Sequence, residues 1–126
     1  MNNPSQPATV LVVEDDTIVR RVICAIIKSG GYKVIEADGA ASALQICKNP
    51  SERIDLILTD FEMPSMNGSD LIRRLKLEHG HIRAVLISGF TPDIMKMHGG
   101  ESENMFFMRK PFLPEALLKM IESALS

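Results

Sequence analysis

The chain has 126 residues, close to one domain at roughly 150 residues per domain, which leaves no room for a second. Fourteen Lys and Arg against 16 Asp and Glu give a net charge of -2, which argues against gripping nucleic acid by phosphate neutralisation. Hydrophobic residues make up 45 %, yet apolar runs such as Val10 to Val13 fall far short of the roughly 20 residues that span a bilayer.

Residues 1 to 8 carry two prolines and no apolar period, which reads as a flexible tail or linker remnant ahead of a domain over 9 to 126. The start lacks the basic and apolar regions of a secretory signal, so the expected compartment is cytoplasmic. Thr9 to Val13 reads as a first strand, followed by Glu14, Asp15 and Asp16. Ile18, Val22 and Ile26 beside Val19, Ile23 and Ile27 repeat at helical spacing, and Gly30-Gly31 stops that helix. Tyr32 to Glu36 is the second strand. Cys24 and Cys47 each sit alone in a helix-like segment, as small core residues rather than a disulfide or metal framework.

Ile54 to Thr59 is the third strand and runs into Asp60, after which Asn67-Gly68 is expected to turn the chain. His79 and His81 fall in a Gly-containing connection without a third ligand and read as solvated loop residues. Arg83 to Ser88 is the fourth strand. A short fourth helical segment follows, with Thr91 as its cap and Pro92 in its first turn, ending at His98-Gly99-Gly100. Met105 to Arg109 is the fifth strand, ahead of Lys110, and Leu117, Ile121 and Ala124 mark the last helix. Almost wholly apolar strands separated by single helices predict a doubly wound α/β fold, a (βα)5 unit whose parallel sheet is covered on both faces.

Ligands of such sheets bind beyond the carboxyl ends of the strands. A strand order of 2-1-3-4-5 brings Glu14 and Asp15 beside Asp60, and three carboxylates in one crevice call for a cation or a proton. Oxygen ligands alone favour Mg2+. Lys110 then supplies a point charge, and Ser88 a hydrogen bond, to an anion held there.

These stretches resemble the response-regulator receiver family: the acidic pair Glu14-Asp15 after Val-Leu-Val-Val, the block Asp-Leu-Ile-Leu-Thr-Asp60-Phe-Glu-Met-Pro64-Ser-Met-Asn-Gly68, the strand end Leu-Ile-Ser88-Gly, and Arg-Lys110-Pro111-Phe. The resemblance covers Thr9 to Leu125 and implies a flavodoxin-like fold. It implies that Asp60 accepts a phosphoryl group from a phosphohistidine, and that Asp15, Asp60 and the backbone carbonyl of Glu62 bind Mg2+, with Glu14 acting directly or through water. Ser88 and Phe107 would form a switch that alters a partner surface on the fourth helix, fifth strand and fifth helix. The implied partners are a histidine kinase or histidine phosphotransfer protein and a downstream protein target, and the implied role is signalling rather than turnover of an outside substrate. The Ile-Ser-Gly-Phe stretch resembles receivers fused to hybrid histidine kinases, and a cis bond before Pro111 also belongs to the resemblance.

Two rival readings remain. One is a receiver-like interaction module that no longer uses phosphate, against which the set Asp15, Asp60, Ser88 and Lys110 argues. The other is a phosphatase of the haloacid dehalogenase type, in which Glu14 stands where the nucleophilic aspartate is needed. Individual residues have plainer roles as well: Asp16 suits a helix cap. Met105 and Met120 suit core filling as well as a partner face, whereas Met95 and Met97 suit the surface. Leu113 leaves the last helix without a side-chain cap. The resemblance implies that Glu62 and Phe90 influence access of the hydrolytic water, and the Phe90 ring is expected to cover the acyl phosphate in part.

Overall fold

The computed structural model describes residues 7–49, 51–89 and 105–126. Within them, five strands form one parallel sheet in the order β2-β1-β3-β4-β5. These are β1 (Thr9–Val13), β2 (Lys33–Ala37), β3 (Leu56–Asp60), β4 (Arg83–Ser88) and β5 (Met105–Arg109). The helices are α1 (Thr17–Ser29), α2 (Ala40–Cys47), α3 (Gly68–Glu78) and, numbered consecutively, α4 (Pro114–Leu125). The expected fourth helical segment, with Thr91, Pro92, Met95, Met97 and Gly99-Gly100, lies outside the described residues, as does Phe90.

Two apolar clusters sandwich the sheet, and the period of two along each strand divides its side chains between them. Leu11, Val13, Ile57, Ala84 and Leu86 join Ala43, Leu71, Ile72 and Leu75 of α2 and α3 on one face. Val10, Val12, Leu56, Leu58, Val85 and Ile87 join Ile23, Cys24, Ile27, Leu117 and Ile121 of α1 and α4 on the other. Each fully buried Leu or Ile contributes about 1.5–3 kcal/mol of transfer free energy. Both cysteines are free and buried, and burial pushes the Cys24 thiol up to about 11, as befits an inert core residue. Met108 is buried, and Met105 and Met120 pack partly buried against the two clusters.

Helix ends follow local chemistry. Asp16 caps α1, its carboxylate accepting from Val19 N–H at 3.0 Å. At the other end the Gly30 N–H bonds back to Ile27, and Gly31 takes a left-handed φ of 91° that suits glycine. Pro114 and Glu115 open α4 behind Leu113, which makes no side-chain cap bond. The Asn67-Gly68 pair departs from expectation. It is a helix start rather than a turn, because Asn67 Oδ1 accepts from Asp70 N–H at 2.8 Å and α3 begins at Gly68. The third strand also starts later than its apolar run, at Leu56. Asp55 just before it turns its carboxylate to Thr9 N–H at 2.8 Å, while Ile54 is buried without strand pairing.

Candidate functional site

At the carboxyl edge the ladder continues one residue past several strands. Glu14 N–H donates to Ala37 O, Phe61 N–H to Ile87 O, and Lys110 N–H to Ser88 O, at 2.8–3.1 Å. The chemistry-bearing residues therefore hang on hydrogen-bonded backbone rather than on free loops. The sequence expectation holds that Glu14, Asp15 and Asp60 share a crevice: each offers a carboxylate oxygen within 4.8 Å of the others. Glu14 and Asp60 are buried, whereas Asp15 is exposed at the mouth.

Lys110 Nζ lies 3.1 Å from Asp60 Oδ2 and 3.7 Å from Glu14 Oε1, so one ammonium serves two buried carboxylates. Burial acts to lower the Lys110 pKa, but the charge and hydrogen bond of Asp60, followed by Glu14 and Glu62, outweigh it and move it up. Asp60 is pushed up to about 8, chiefly by burial, then by hydrogen bonding with the Glu62 carboxyl and by the charge of Glu14, against the opposing pull of Lys110. Without a cation beyond Lys110, the crevice is short of positive charge.

Mg2+ is implied by the sequence, and the crevice fits it. Two buried carboxylate oxygens, Glu14 Oε1 and Asp60 Oδ1, lack a hydrogen-bond partner among the described residues. Such atoms are costly to bury unless something pairs with them. The donor set is all oxygen, which a hard divalent cation prefers.

Sequence reasoning missed one member of the site, Arg20, and the side-chain contacts of another, Glu62. Arg20 of α1 reaches back so that Nη1 donates to Glu14 O at 2.8 Å and Nε pairs with Glu36 at 3.0 Å, tying the end of β1 to β2. Glu62 was expected through its backbone carbonyl. Its side chain also belongs to the crevice: Ser88 Oγ donates to Glu62 Oε1 at 2.6 Å, and Gly89 N–H to the same atom at 3.3 Å. Burial acts to raise the Glu62 pKa, but the hydrogen bonds from Ser88, Asp60 and backbone amides prevail and hold it below the ordinary value. Arginine at the second turn of a helix and glutamate after a strand are commonplace, and neither pattern announces these contacts.

Phe107 is partly buried on the same sheet face as Leu86, its neighbour across β4 and β5. The Lys110–Pro111 bond is cis. His79 caps the end of α3 and meets His81 edge to face at 6.3 Å, far from the crevice.

A doubly wound sheet with paired acids after β1, an aspartate ending β3, a hydroxyl ending β4 and a lysine after β5 defines a class of signalling module. The chain belongs to the response regulator receiver domain family, whose model matches residues 10–122. It is 32 % identical over 121 residues to the sensor kinase CckA of Brucella abortus, a match covering 96 % of this chain and 13 % of that protein. It is 33 % identical over 122 residues to the putative two-component response regulator ARR21 of Arabidopsis thaliana, covering 93 % and 19 % respectively. The chain thus spans less than a fifth of those relatives. Among solved structures, the receiver domain of the hybrid histidine kinase CckA has 27 % identity and a TM-score of 0.80, covering 94 % of this chain and all of that one. The chemotaxis response regulator CheY4 of Vibrio cholerae has 26 % identity and a TM-score of 0.84, covering 95 % of this chain and 100 % of that one.

The two-component assignment and the flavodoxin-like order therefore stand, and the dehalogenase-type reading falls with them. Receiver domains bind Mg2+ at an acidic pocket and interact with histidine kinases or phosphotransfer proteins. No helix among the described residues is long and apolar enough to cross a membrane.

Proposed function

We propose that this receiver takes a phosphoryl group from a phosphohistidine onto Asp60 and passes the change to a protein target. The observation that carries this reading is the state of Asp60, a buried carboxyl group with one oxygen held by Lys110 and no donor on the other. A carboxylate oxygen attacks phosphorus in line with the imidazole nitrogen. The new O–P bond forms as the N–P bond breaks, and the nitrogen keeps the bonding pair and takes a proton. Lys110 neutralises charge on the transferring oxygens, and Ser88 donates to another of them. Asp15, Asp60 and the Glu62 carbonyl, with Glu14 nearby, would hold Mg2+, which when bound supplies charge neutralisation to the phosphoryl oxygens.

The donor approaches over α1. Ile18 is 77 % exposed and Val22 56 % exposed, and with Pro111 and Phe112 they line a groove of about 410 Å³ that also includes Lys110. Lys110 thus connects an apolar landing surface to the nucleophile. Phosphorylation draws on Ser88 and Phe107 as the switch pair, and the altered surface around β5 and the last helix meets the downstream target. The unit works as a cytoplasmic module without direct contact to nucleic acid, and Ala8, expected in the tail, is instead buried with its carbonyl accepting from Lys33 N–H at 3.0 Å.

The test is incubation with a small phosphodonor and Mg2+. A stable gain of one phosphoryl group on the Asp60 peptide, absent in Asp60→Asn, is expected. An unmodified wild-type protein would favour the phosphate-independent interaction module.

A further inference from the structure

The Glu62 side chain turns into the crevice, although it follows Asp60 by only two residues on the loop leaving β3. A single oxygen, Oε1, receives both donors at the end of β4: the Ser88 hydroxyl at 2.6 Å and the Gly89 amide at 3.3 Å. Ser88 is fully buried, so this acceptor, not water, takes its hydroxyl proton. On the opposite flank Lys110 holds Asp60 Oδ2.

A phosphoryl group on Asp60 carries terminal oxygens that need donors on both flanks. Lys110 offers the first, and Ser88 with Gly89 offers the second, but that second pair is already engaged by an anion of the same sign. Two anions cannot share one hydroxyl and one amide in a buried crevice without strong repulsion.

We infer that the Glu62 carboxylate is a built-in stand-in for the phosphoryl group, holding the Ser88 and Gly89 donors until the phosphoryl group displaces it. This rests on Asp60 being the phosphoacceptor. The end of β4 is then ordered before phosphorylation, and the change on phosphorylation is an exchange of acceptors with expulsion of Glu62. Glu62 acts here as a positioning residue, setting how readily the crevice accepts its ligand.

Beryllium fluoride with Mg2+, a non-covalent phosphoryl mimic, is titrated into wild type, Glu62→Gln and Glu62→Ala. Glu62→Ala is expected to bind about tenfold tighter, because a like charge is gone and no carboxylate competes for the Ser88 and Gly89 donors. Glu62→Gln should fall between, since its amide oxygen still accepts from Ser88 without the charge. In wild type, the carboxyl carbon resonance of Glu62 should shift with the same midpoint as binding, which a purely structural role would not produce. Equal affinities in all three proteins, or a Glu62 resonance that stays put as Asp60 saturates, overturn the stand-in alone. Absence of binding in all three overturns the phosphoacceptor reading and the stand-in with it.

Discussion

Gly68 and Asp60 are packed backbone to backbone: a Cβ added to Gly68 would overlap the Asp60 carbonyl oxygen, and would also meet Leu86 Cδ1 at 2.8 Å. The first turn of α3 is therefore seated directly under the residue at the centre of the site, with Gly68 N–H bonding to Phe61 O at 3.0 Å.

Gly68→Ala tests that seating. Alanine gains up to about 1 kcal/mol in helix propensity, but the overlap with backbone forces a shift costing about 1–3 kcal/mol. A net loss in urea denaturation is expected, together with slower phosphorylation by a small donor, because the shift moves the Asp60 main chain.

The raised pKa of Asp60 sets a pH dependence. Its folded value of about 8 lies above the 3.8 of a free aspartate, so between those limits the folded chain keeps a proton that the unfolded chain has lost. Its contribution to stability is full below about pH 4 and declines as pH rises through 8. With chelator present, wild type should lose stability relative to Asp60→Asn from pH 5.5 to 8. Mg2+ should flatten that slope and bind more tightly at pH 8 than at pH 6, releasing a proton measurable by calorimetry in buffers of differing ionisation enthalpy.

Arg20→Ala removes the clamp on the end of β1. It leaves the Glu14 carbonyl without its 2.8 Å donor and breaks the pair with Glu36, an expected cost of about 1–2 kcal/mol. Mg2+ affinity should fall as well, because Glu14 and Asp15 follow that strand directly. Arg20→Lys should recover only part of both, since one ammonium lacks the fork that reaches two acceptors.

Leu113→Ser should stabilise the protein. Leu113 is 69 % exposed and already has the extended backbone of a cap, with φ -85° and ψ 151°. A serine hydroxyl there adds about 0.5–1 kcal/mol, read as a melting temperature higher by about 2–4 °C.

Val22→Asp separates the landing surface from the chemistry. Phosphotransfer from a phosphohistidine protein should slow about tenfold or more through loss of an apolar contact and burial of a charge. Phosphorylation by a small donor should be unchanged, and slowing of both would place Val22 in the folding of α1 instead.

The parts legible in the sequence are those fixed by backbone periodicity. Apolar runs at 22- to 29-residue intervals dictate a parallel sheet, and the polar residue ending each run must then stand at the carboxyl edge, which is how Glu14, Asp60, Ser88 and Lys110 were found. Side chains that reach between elements escaped this logic. Arg20 meets Glu36 across 16 residues and Ser88 meets Glu62 across 26, and neither contact has a local period. Asn67-Gly68 was misread because the pair suits both a turn and a helix start; what decides is the Asp70 amide three residues on.

The last rungs of the ladder, Phe61 to Ile87 and Lys110 to Ser88, lie between strands whose side chains are shared by both apolar clusters. Their amide protons can meet deuterium only when the sheet itself opens, so they should be among the slowest in the chain to exchange. That slow rate should persist when a phosphoryl mimic fills the crevice, leaving the message to rotating side chains mounted on a frame that stays shut.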